Sequence, residues 1–345
     1  MLSISILMPT LNAARTLEVC LRSIFKQDYP PDKIEVIIAD AGSTDETLDI
    51  VEKFKGLKVS KFKAKFKIKL VKNPLKTAEA GKAAALRQSP GELVAFIDAD
   101  NVLPDKNWLK RMTRPFSDSQ IVASEPWQFT YRRQDGFIDR YCALIGMNDP
   151  LVMFLGNYDR INLLAGKWTE LEIEQTDHGS YRTIDLLPGL LPTLGANGTL
   201  IRSKVLQDWR TQDYFFDIDV IYGLTQRKTL PVRKFAKVKT GIVHLYSGAN
   251  IFRFIHKQRR RVKDYLYYES LGARRYPWRV FGWQTLRGRG LILFIFSCLT
   301  VVPLIWQASH GYQKKKDAAW FFHPFACWLT FLIYGYYWLK KTFLR

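Results

Sequence analysis

The sequence predicts an α/β protein built on a doubly wound parallel sheet and completed at its carboxyl end by a helical hairpin in a membrane. Three observations carry that expectation. Apolar runs of strand length alternate with stretches of helical periodicity through the first hundred residues. Acidic residues stand at the carboxyl ends of two of those runs, Asp40 and Asp98. Two long stretches near the carboxyl end carry almost no charge.

A chain of 345 residues is longer than a single core usually fills. Its 52 Lys and Arg against 32 Asp and Glu leave a formal net charge of +20. The isoelectric point is near 9.7 and the mean hydropathy is −0.14. That charge suits a phosphorylated ligand, an anionic membrane or nucleic acid, and does not by itself choose among them. Cys20, Cys142, Cys298 and Cys327 show neither metal spacing nor a paired framework, so they are read as reduced structural thiols of a cytosol-facing protein.

Leu2 to Met8, halted by Pro9, is too short for a secretory signal and reads as the first strand, so the amino end is expected to stay in the cytosol. From Asn12 to Gln27 the residues Leu17, Leu21, Ile24 and Phe25 recur as one helix face. Ile34 to Ala39 is a second strand, ending at Asp40 before another helix. This β-α-β-turn-α order argues for parallel winding. Ser43 to Asp45 reads as a helix cap. From Lys61 to Lys69 every second residue is Lys, which in an extended chain sets the ammonium groups opposite Phe62, Phe66 and Ile68. That is an edge strand or hairpin arm protected by charge, with anionic lipid head groups as the alternative contact. Ala78 to Leu86 is a close-packing helix that contains Gly81 and Lys82.

Glu92 to Asn101 reads as a buried strand opening into a polar turn. In an extended chain residues i and i+2 face the same side, so Asp98 and Asp100 are expected to converge where open α/β sheets bind ligands. Two carboxylates so placed need a cation, and a hard divalent ion accompanying a diphosphate meets that need. The plainer alternative is a turn whose acids cap a helix beginning near Pro104. Asp40, at an equivalent strand end, is read as the contact for base or ribose hydroxyls.

Ser5 to Asn12, Gln27 to Pro30, Ile37 to Thr47 and Ala95 to Asp100 together resemble the amino-terminal signature of the family 2 glycosyltransferases of GT-A fold. Ala41 departs from it, standing where the family often has a second Asp. The resemblance implies a doubly wound mixed sheet, a nucleotide-sugar donor, and a divalent cation, Mg2+ or Mn2+, on its diphosphate. It implies donor contacts from Pro9, Thr10, Asn12, Asp40, Lys82, Asp98 and Ala99, and metal ligation by Asp98, Asp100 and His244. Gly195 to Arg202 resembles the family's glycine loop, and Asp217 then matches its general base, with Asp219 as a second acid. Phe216 stands where a Glu is usual before that base. An inverting transfer is implied, in which Asp217 accepts the proton of a hydroxyl acceptor.

Val102 to Leu194 is assigned acceptor specificity by elimination, and His178 within it reads as a solvated loop side chain rather than a ligand. Phe252 to Arg289 is basic and aromatic, the composition of a helix lying in a membrane interface. Within it Gln258 to Arg261 partly matches the Gln-x-x-Arg-Trp motif of processive sugar polymerases, with Val262 in place of the Trp. Gly290 to Trp306 and Trp320 to Leu339 each approach the ~20 residues that cross a bilayer. His323 lies in the second run, and Pro303 leaves a re-entrant path open to the first. Arg274, Arg275, Arg279, Arg287 and Arg289 before the pair, and Lys340, Lys341 and Arg345 after it, outweigh Lys314 to Lys316, which puts both ends in the cytosol.

The expected organisation is a catalytic domain over residues 1–250, a basic interfacial segment over 251–289, and a two-helix transmembrane hairpin with its tail over 290–345. The expected activity is sugar transfer to a lipid-linked or glycan acceptor at the cytoplasmic membrane, with the catalytic domain facing the cytosol. A nucleotidyltransferase of similar fold, a non-catalytic membrane scaffold and a nucleic-acid binder are the rivals. No recognition-module signature supports the last, so no nucleic-acid partner is expected.

Overall fold

The computed structural model describes residues 1–59, 64–65, 67–227, 233–278 and 284–343. In chain order its elements begin β1 (Ile4–Thr10), α1 (Ala14–Phe25), β2 (Ile34–Asp40), α2 (Thr47–Lys55), β3 (Lys58–Val59), β4 (Ala64–Lys65), β5 (Lys67–Lys72) and α3 (Ala78–Arg87). There follow β6 (Leu93–Phe96), β7 (Asn101–Val102), α4 (Trp108–Thr113), β8 (Ile121–Phe129), α5 (Phe137–Ile145), α6 (Pro150–Leu155), β9 (Thr176–Asp177) and β10 (Tyr181–Asp185). The chain ends with β11 (Leu200–Arg202), α7 (Asp217–Gln226), β12 (Lys234–His244), α8 (Ile251–Ser270), α9 (Leu286–Thr300), α10 (Val302–Lys314) and α11 (His323–Phe343).

Two compact units result. The first holds Met1–Trp127, Ile173–Gly189 and Leu194–His244; the second holds Gln128–Glu172, Leu190–Thr193 and Leu245–Arg345. The expected boundary at residue 250 does not coincide with this division, because part of the middle segment groups with the carboxyl-terminal helices.

The first unit is organised by a ten-stranded sheet in the order β5-β2-β1-β6-β11-β8-β12-β10-β9, with β7 paired to β12. β5, β2, β1 and β6 run parallel. β11 is antiparallel to β6 and β8, and β10 to β12 and β9. The sheet is therefore doubly wound and mixed. Of its parallel strands β1, β2 and β6 are nearly continuous in apolar residues because they are covered on both faces. α1 buries Leu17, Leu21 and Ile24, the face its spacing predicts, and each such side chain contributes roughly 1.5–3 kcal/mol on burial. β5 lies at the end of the strand order with Lys67 and Lys69 exposed, as an edge strand should be. Lys61, Phe62, Lys63 and Phe66 of the same run lie outside the described residues.

α3 decides where one functional side chain sits. It is built from Ala and Gly, and a Cβ at Gly81 would lie 2.8 Å from Pro9 Cβ. That closeness lets the helix settle on β1 and carries Lys82 into the interior, where it is buried.

The second unit is helical. Ile138, Tyr141, Tyr158, Phe254, Trp320 and Phe322 form the centre of one apolar cluster, and Phe154, Phe294, Cys298, Leu304 and Cys327 form another. The four cysteines are all buried free thiols, as expected. The expected hairpin takes a different form. The first apolar run is broken at Val301, where α9 and α10 meet at 96°. Among the described residues one straight helical stretch, Ala318–Phe343, is long and apolar enough to cross a membrane, and nearly half of its most apolar window is buried in protein. Arg279 and Arg345 lie outside the described residues.

Candidate active site

The site belongs to the first unit and begins at the carboxyl ends of β1 and β2, where Thr10 and Asp40 pair in register. Asp40 Oδ1 accepts from Thr10 Oγ1 (3.1 Å) and Ser43 Oγ (2.6 Å), and Oδ2 accepts from the Gly42 and Ser43 amides, each at 2.9 Å. Burial alone would raise this carboxyl's pKa, but the bonds from Ser43, Gly42 and Thr10 hold it below its ordinary value. Four bonds occupy about the four acceptor positions a carboxylate offers. A hydroxyl of a bound nucleotide would have to replace one of them. Asn12, in the left-handed region at φ 49°, holds the opposite side of this turn, donating its amide to Ser43 Oγ and accepting from Thr44 N. Asp45 accepts from the amides of Thr47 and Ala14, so it caps the starts of both α1 and α2.

Past β6 the chain does not continue as a strand. It turns back at Asp98, whose amide donates to Asn101 Oδ1, while Asn101 N donates to the Asp98 carbonyl. The i, i+2 argument for Asp98 and Asp100 required an extended backbone, and the chain turns here instead. Asp100 instead stands beside His244, with Oδ1 3.4 Å from Nε2, because β7 pairs with the end of β12 and sets Asn101 opposite His244. Asp98 Oδ1 lies 3.9 Å from Lys82 Nζ. Ala99, between them, is buried. Among the described residues no three His, Cys, Asp or Glu side chains converge as metal ligands; of Asp98, Asp100 and His244, the structure sets Asp100 and His244 side by side. One carboxylate oxygen and one imidazole nitrogen at that separation suit two adjacent positions of a Mg2+ or Mn2+ shell, and phosphate oxygens would complete it.

Lys82 was expected to face a diphosphate. Its ammonium lies 2.5 Å from Asp217 Oδ2. Asp217 is the first residue of α7, where the helix dipole favours a carboxylate. Burial dominates its titration and pushes its pKa up to about 6, against the pull of Lys82 and with a further push from Asp98. Burial also opposes the Lys82 ammonium, but Asp217 and Asp98 outweigh it and hold that pKa above its ordinary value. Asp217 Oδ1 and Asp98 Oδ1 are both buried without a hydrogen bond. Asp219, expected as a second acid, is buried in the same helical turn.

Two further features were not singled out beforehand. The first is Asn101, fully buried, whose Nδ2 donates to Asp100 Oδ1 (3.3 Å) and to Asn197 Oδ1 (3.1 Å). It thereby joins the Asp-x-Asp turn to the glycine loop. The second is the fully buried pair of Lys237 on β12 and Glu125 on β8, 2.5 Å apart. Glu125 Oε1 accepts from Gly195 N (2.9 Å) and Thr199 Oγ1 (3.0 Å), so this pair anchors both ends of the loop that carries Asn197. Gly195 adopts φ +123°, and a Cβ there would lie 2.7 Å from the Asp217 carbonyl oxygen. Only glycine lets the loop pass that close to the start of α7. The available signal was Glu125, the single charge in β8; Lys237 is one of three lysines in β12 and does not stand out.

Two other sequence candidates have local partners. His178 is paired with Thr183 Oγ1 at 2.9 Å and stacked on Tyr181. In the second unit Arg261 donates to Gln258 Oε1, and Gln258 donates to the Asn148 carbonyl, so the partial polymerase motif bonds to itself and its own helices.

Comparison with known proteins accords with this arrangement. Residues 5–141 match the model of Glycosyl transferase family 2. A poly(ribitol-phosphate) beta-N-acetylglucosaminyltransferase, TarS, of Staphylococcus aureus is 35% identical over 32% of this chain and 18% of its own length. The Escherichia coli UDP-Glc:alpha-D-GlcNAc-diphosphoundecaprenol beta-1,3-glucosyltransferase WfaP is 32% identical over 28% of this chain and 35% of its own. These matches span well under half the length of either relative. Among solved structures, the mannosyltransferase PcManGT of Pyrobaculum calidifontis, in complex with GDP-Man and Mn2+, aligns with a TM-score of 0.53. That alignment covers all of this chain and 88% of the other at 15% identity, which is a likeness of fold. The first unit thus has the GT-A fold. Over residues 5–141 the chain is similar to the family 2 glycosyltransferases.

Proposed function

We propose that the protein transfers a sugar from a nucleotide-sugar to a lipid-linked or polymeric glycan acceptor, with inversion, at the cytosolic face of the membrane. The observation that carries the reading is the group of buried Lys82 with the partly buried Asp98 and Asp217. A carboxylate of pKa about 6, aimed into a site with one oxygen unbonded, is suited to take a proton near neutral pH. Asp217 is the base toward a hydroxyl acceptor; an acceptor that is already an ionised phosphate would not need it. Lys82, which pairs with Asp217, is positioned to neutralise phosphate charge of the donor. Asp100 and His244 would hold a divalent cation, which when bound supplies Lewis-acid stabilisation of the departing diphosphate. Thr10, Asn12 and Asp40 shape the loops around the nucleotide, and Pro9 and Ala99 form part of the wall. The relatives' named acceptors, a poly(ribitol-phosphate) and a diphosphoundecaprenol-linked sugar, support a polymeric or lipid-linked acceptor here.

The test is incubation of full-length protein with lipid extract, a divalent cation and a panel of nucleotide-sugars that includes UDP-Glc and GDP-Man. A lipid-extractable or polymer-bound labelled sugar from one donor is expected, with loss of transfer on chelation. Release of pyrophosphate from a sugar phosphate and a nucleoside triphosphate would identify a nucleotidyltransferase instead. Full activity of Asp100→Ala with an unchanged metal requirement would remove the metal assignment.

A further inference from the structure

The membrane reading above leaves open how the second unit meets a bilayer, and the packing of its helices bears on that. α11 is a core helix along one face, where His323, Ala326, Cys327, Thr330 and Ile333 are buried. It also runs beside α8. Tyr334 donates to Gln258 Oε1 at 3.2 Å, and Lys341 lies 2.5 Å from Glu269. Both contacts advance toward the carboxyl ends, so the two helices run in the same direction. Were α11 to cross a bilayer, α8 would be carried with it, and α8 exposes Arg259, Arg260 and Lys263 and carries Asp264 and Glu269. Several charges in hydrocarbon would oppose that placement.

The bent pair has the opposite character. From Gly290 to Gln313 there is no Asp, Glu, Lys or Arg. Helices of 15 and 13 residues are each ~20 Å long, too short for a hydrocarbon layer of ~30 Å. Their inner residues Phe294, Cys298 and Leu304 pack within the unit, while Leu293, Phe296, Leu299, Val302, Ile305 and Trp306 are exposed. At the bend Val301 takes φ 62°, a strained setting for a β-branched residue, yet its amide donates to the Ser297 carbonyl and its carbonyl accepts from Leu304 and Ile305. With both backbone groups of Val301 bonded, the residue at the tip of the corner can enter an apolar phase. The two ends away from the corner are basic, with Arg289 exposed on α9 and Lys314 and Lys316 exposed around the end of α10.

We propose that the second unit is a monotopic anchor. The α9–α10 corner enters one leaflet of an anionic bilayer, the cations at its two ends and the exposed stripe of α8 meet the head groups, and α11 remains within the unit without crossing. The inference rests on the membrane reading and specifies its mode. Exposed Arg, Lys and apolar residues of this kind match a phosphate-bearing surface over a hydrocarbon layer.

The experiment adds full-length protein to sealed phosphatidylcholine–phosphatidylglycerol vesicles. Ala318→Cys and Thr342→Cys, at exposed positions bracketing α11, are each treated with an external, membrane-impermeant maleimide, against the buried native thiols as background. A fluorophore on Leu299→Cys is read against lipids brominated along the acyl chain. Both bracketing cysteines should react from outside, the Leu299→Cys label should be quenched, and R259E/R260E/K263E should bind these vesicles at least ~100-fold more weakly, given about 1 kcal/mol for each cation at the surface. Vesicle binding with one bracketing cysteine shielded inside would mean that α11 crosses; the inference would fail while the membrane reading stood. No vesicle binding by wild type and no quenching would overturn both.

Discussion

Two lysine–carboxylate pairs, one fully and one largely buried, sit in the same sheet unit at the same 2.5 Å separation, and they differ in what surrounds them. Around Lys237 and Glu125 every contact is reciprocated: the carboxylate accepts from Gly195, Thr199 and Lys237, and the ammonium also donates to the Pro126 carbonyl. Around Lys82 and Asp217 one carboxylate oxygen has no hydrogen bond, a second acid stands 3.9 Å from the ammonium, and burial lifts Asp217 to about 6. The first pair is saturated and holds a loop. The second is under-bonded and over-acidic, an arrangement that suits proton transfer and the arrival of a phosphate.

Replacing the carboxylate in each pair should therefore break different properties. Asp217→Asn keeps the volume and removes the basicity, and with a hydroxyl acceptor turnover should fall ~10²- to 10⁴-fold while donor affinity stays close to wild type. Steady-state kinetics with donor binding measured separately checks this; a loss confined to donor affinity would move Asp217 into the nucleotide site. Asp219→Asn should be milder. Glu125→Gln leaves Lys237 as a buried, uncompensated cation, and breaking such a pair costs about 3–5 kcal/mol of stability. A denaturant titration should find that loss in Glu125→Gln and little of it in Asp217→Asn. Equal destabilisation of both would erase the distinction between the pairs.

A smaller effect is expected from the support of Lys82. Gly81→Ala adds a methyl 2.8 Å from Pro9 Cβ and 2.9 Å from Asn73 Nδ2, so α3 must move away from β1. Overpacking of this kind costs about 1–3 kcal/mol. The accompanying shift of Lys82 should raise the KM for donor, whereas Ala84→Gly, a change on the same helix without that clash, should lower stability only modestly and spare KM.

The parts of this fold legible in the sequence are those written in local periodicity. β1, α1, β2 and α3 fall within two residues of their expected bounds because apolar spacing decides them. Asp217 and His244 are candidates that the resemblance to the family's motifs names. The pairing of Lys82 with Asp217 was not legible, since 135 positions separate them and neither residue's neighbours name the other. The polar turn after the strand was legible, but the i, i+2 argument carried extension through Asp100, whereas local bonds between Asp98 and Asn101, with one from Asn101 to Asn197, turn the chain at Asp98. Glu125 and Lys237 each look like one solvent-facing position in an alternating strand, and only the sheet order brings them together. The corner at Val301 opposes local preference, leaving Pro303 as its single mark in the sequence.

The finest comparison is electrostatic, within the under-bonded pair itself. If Asp217 is the base, turnover should be level above its pKa and fall about tenfold per pH unit below about 6, because only the carboxylate accepts a proton. Lys82 and Asp98 pull that value in opposite directions: the cation favours the charged carboxylate and the neighbouring acid disfavours it. Lys82→Met should therefore raise the pKa and move the acidic limb of the profile to higher pH, by about one unit or more. Asp98→Asn should lower it and move the limb to lower pH by less, since Lys82 has the larger influence on Asp217. Both variants will lose turnover for other reasons, so the position of the limb is the quantity to measure. Shifts in the same direction, or none, would mean that a different group governs the limb; a profile flat from pH 5 to 8 in wild type would instead favour an acceptor already ionised, for which Asp217 holds Lys82 in place and takes no proton.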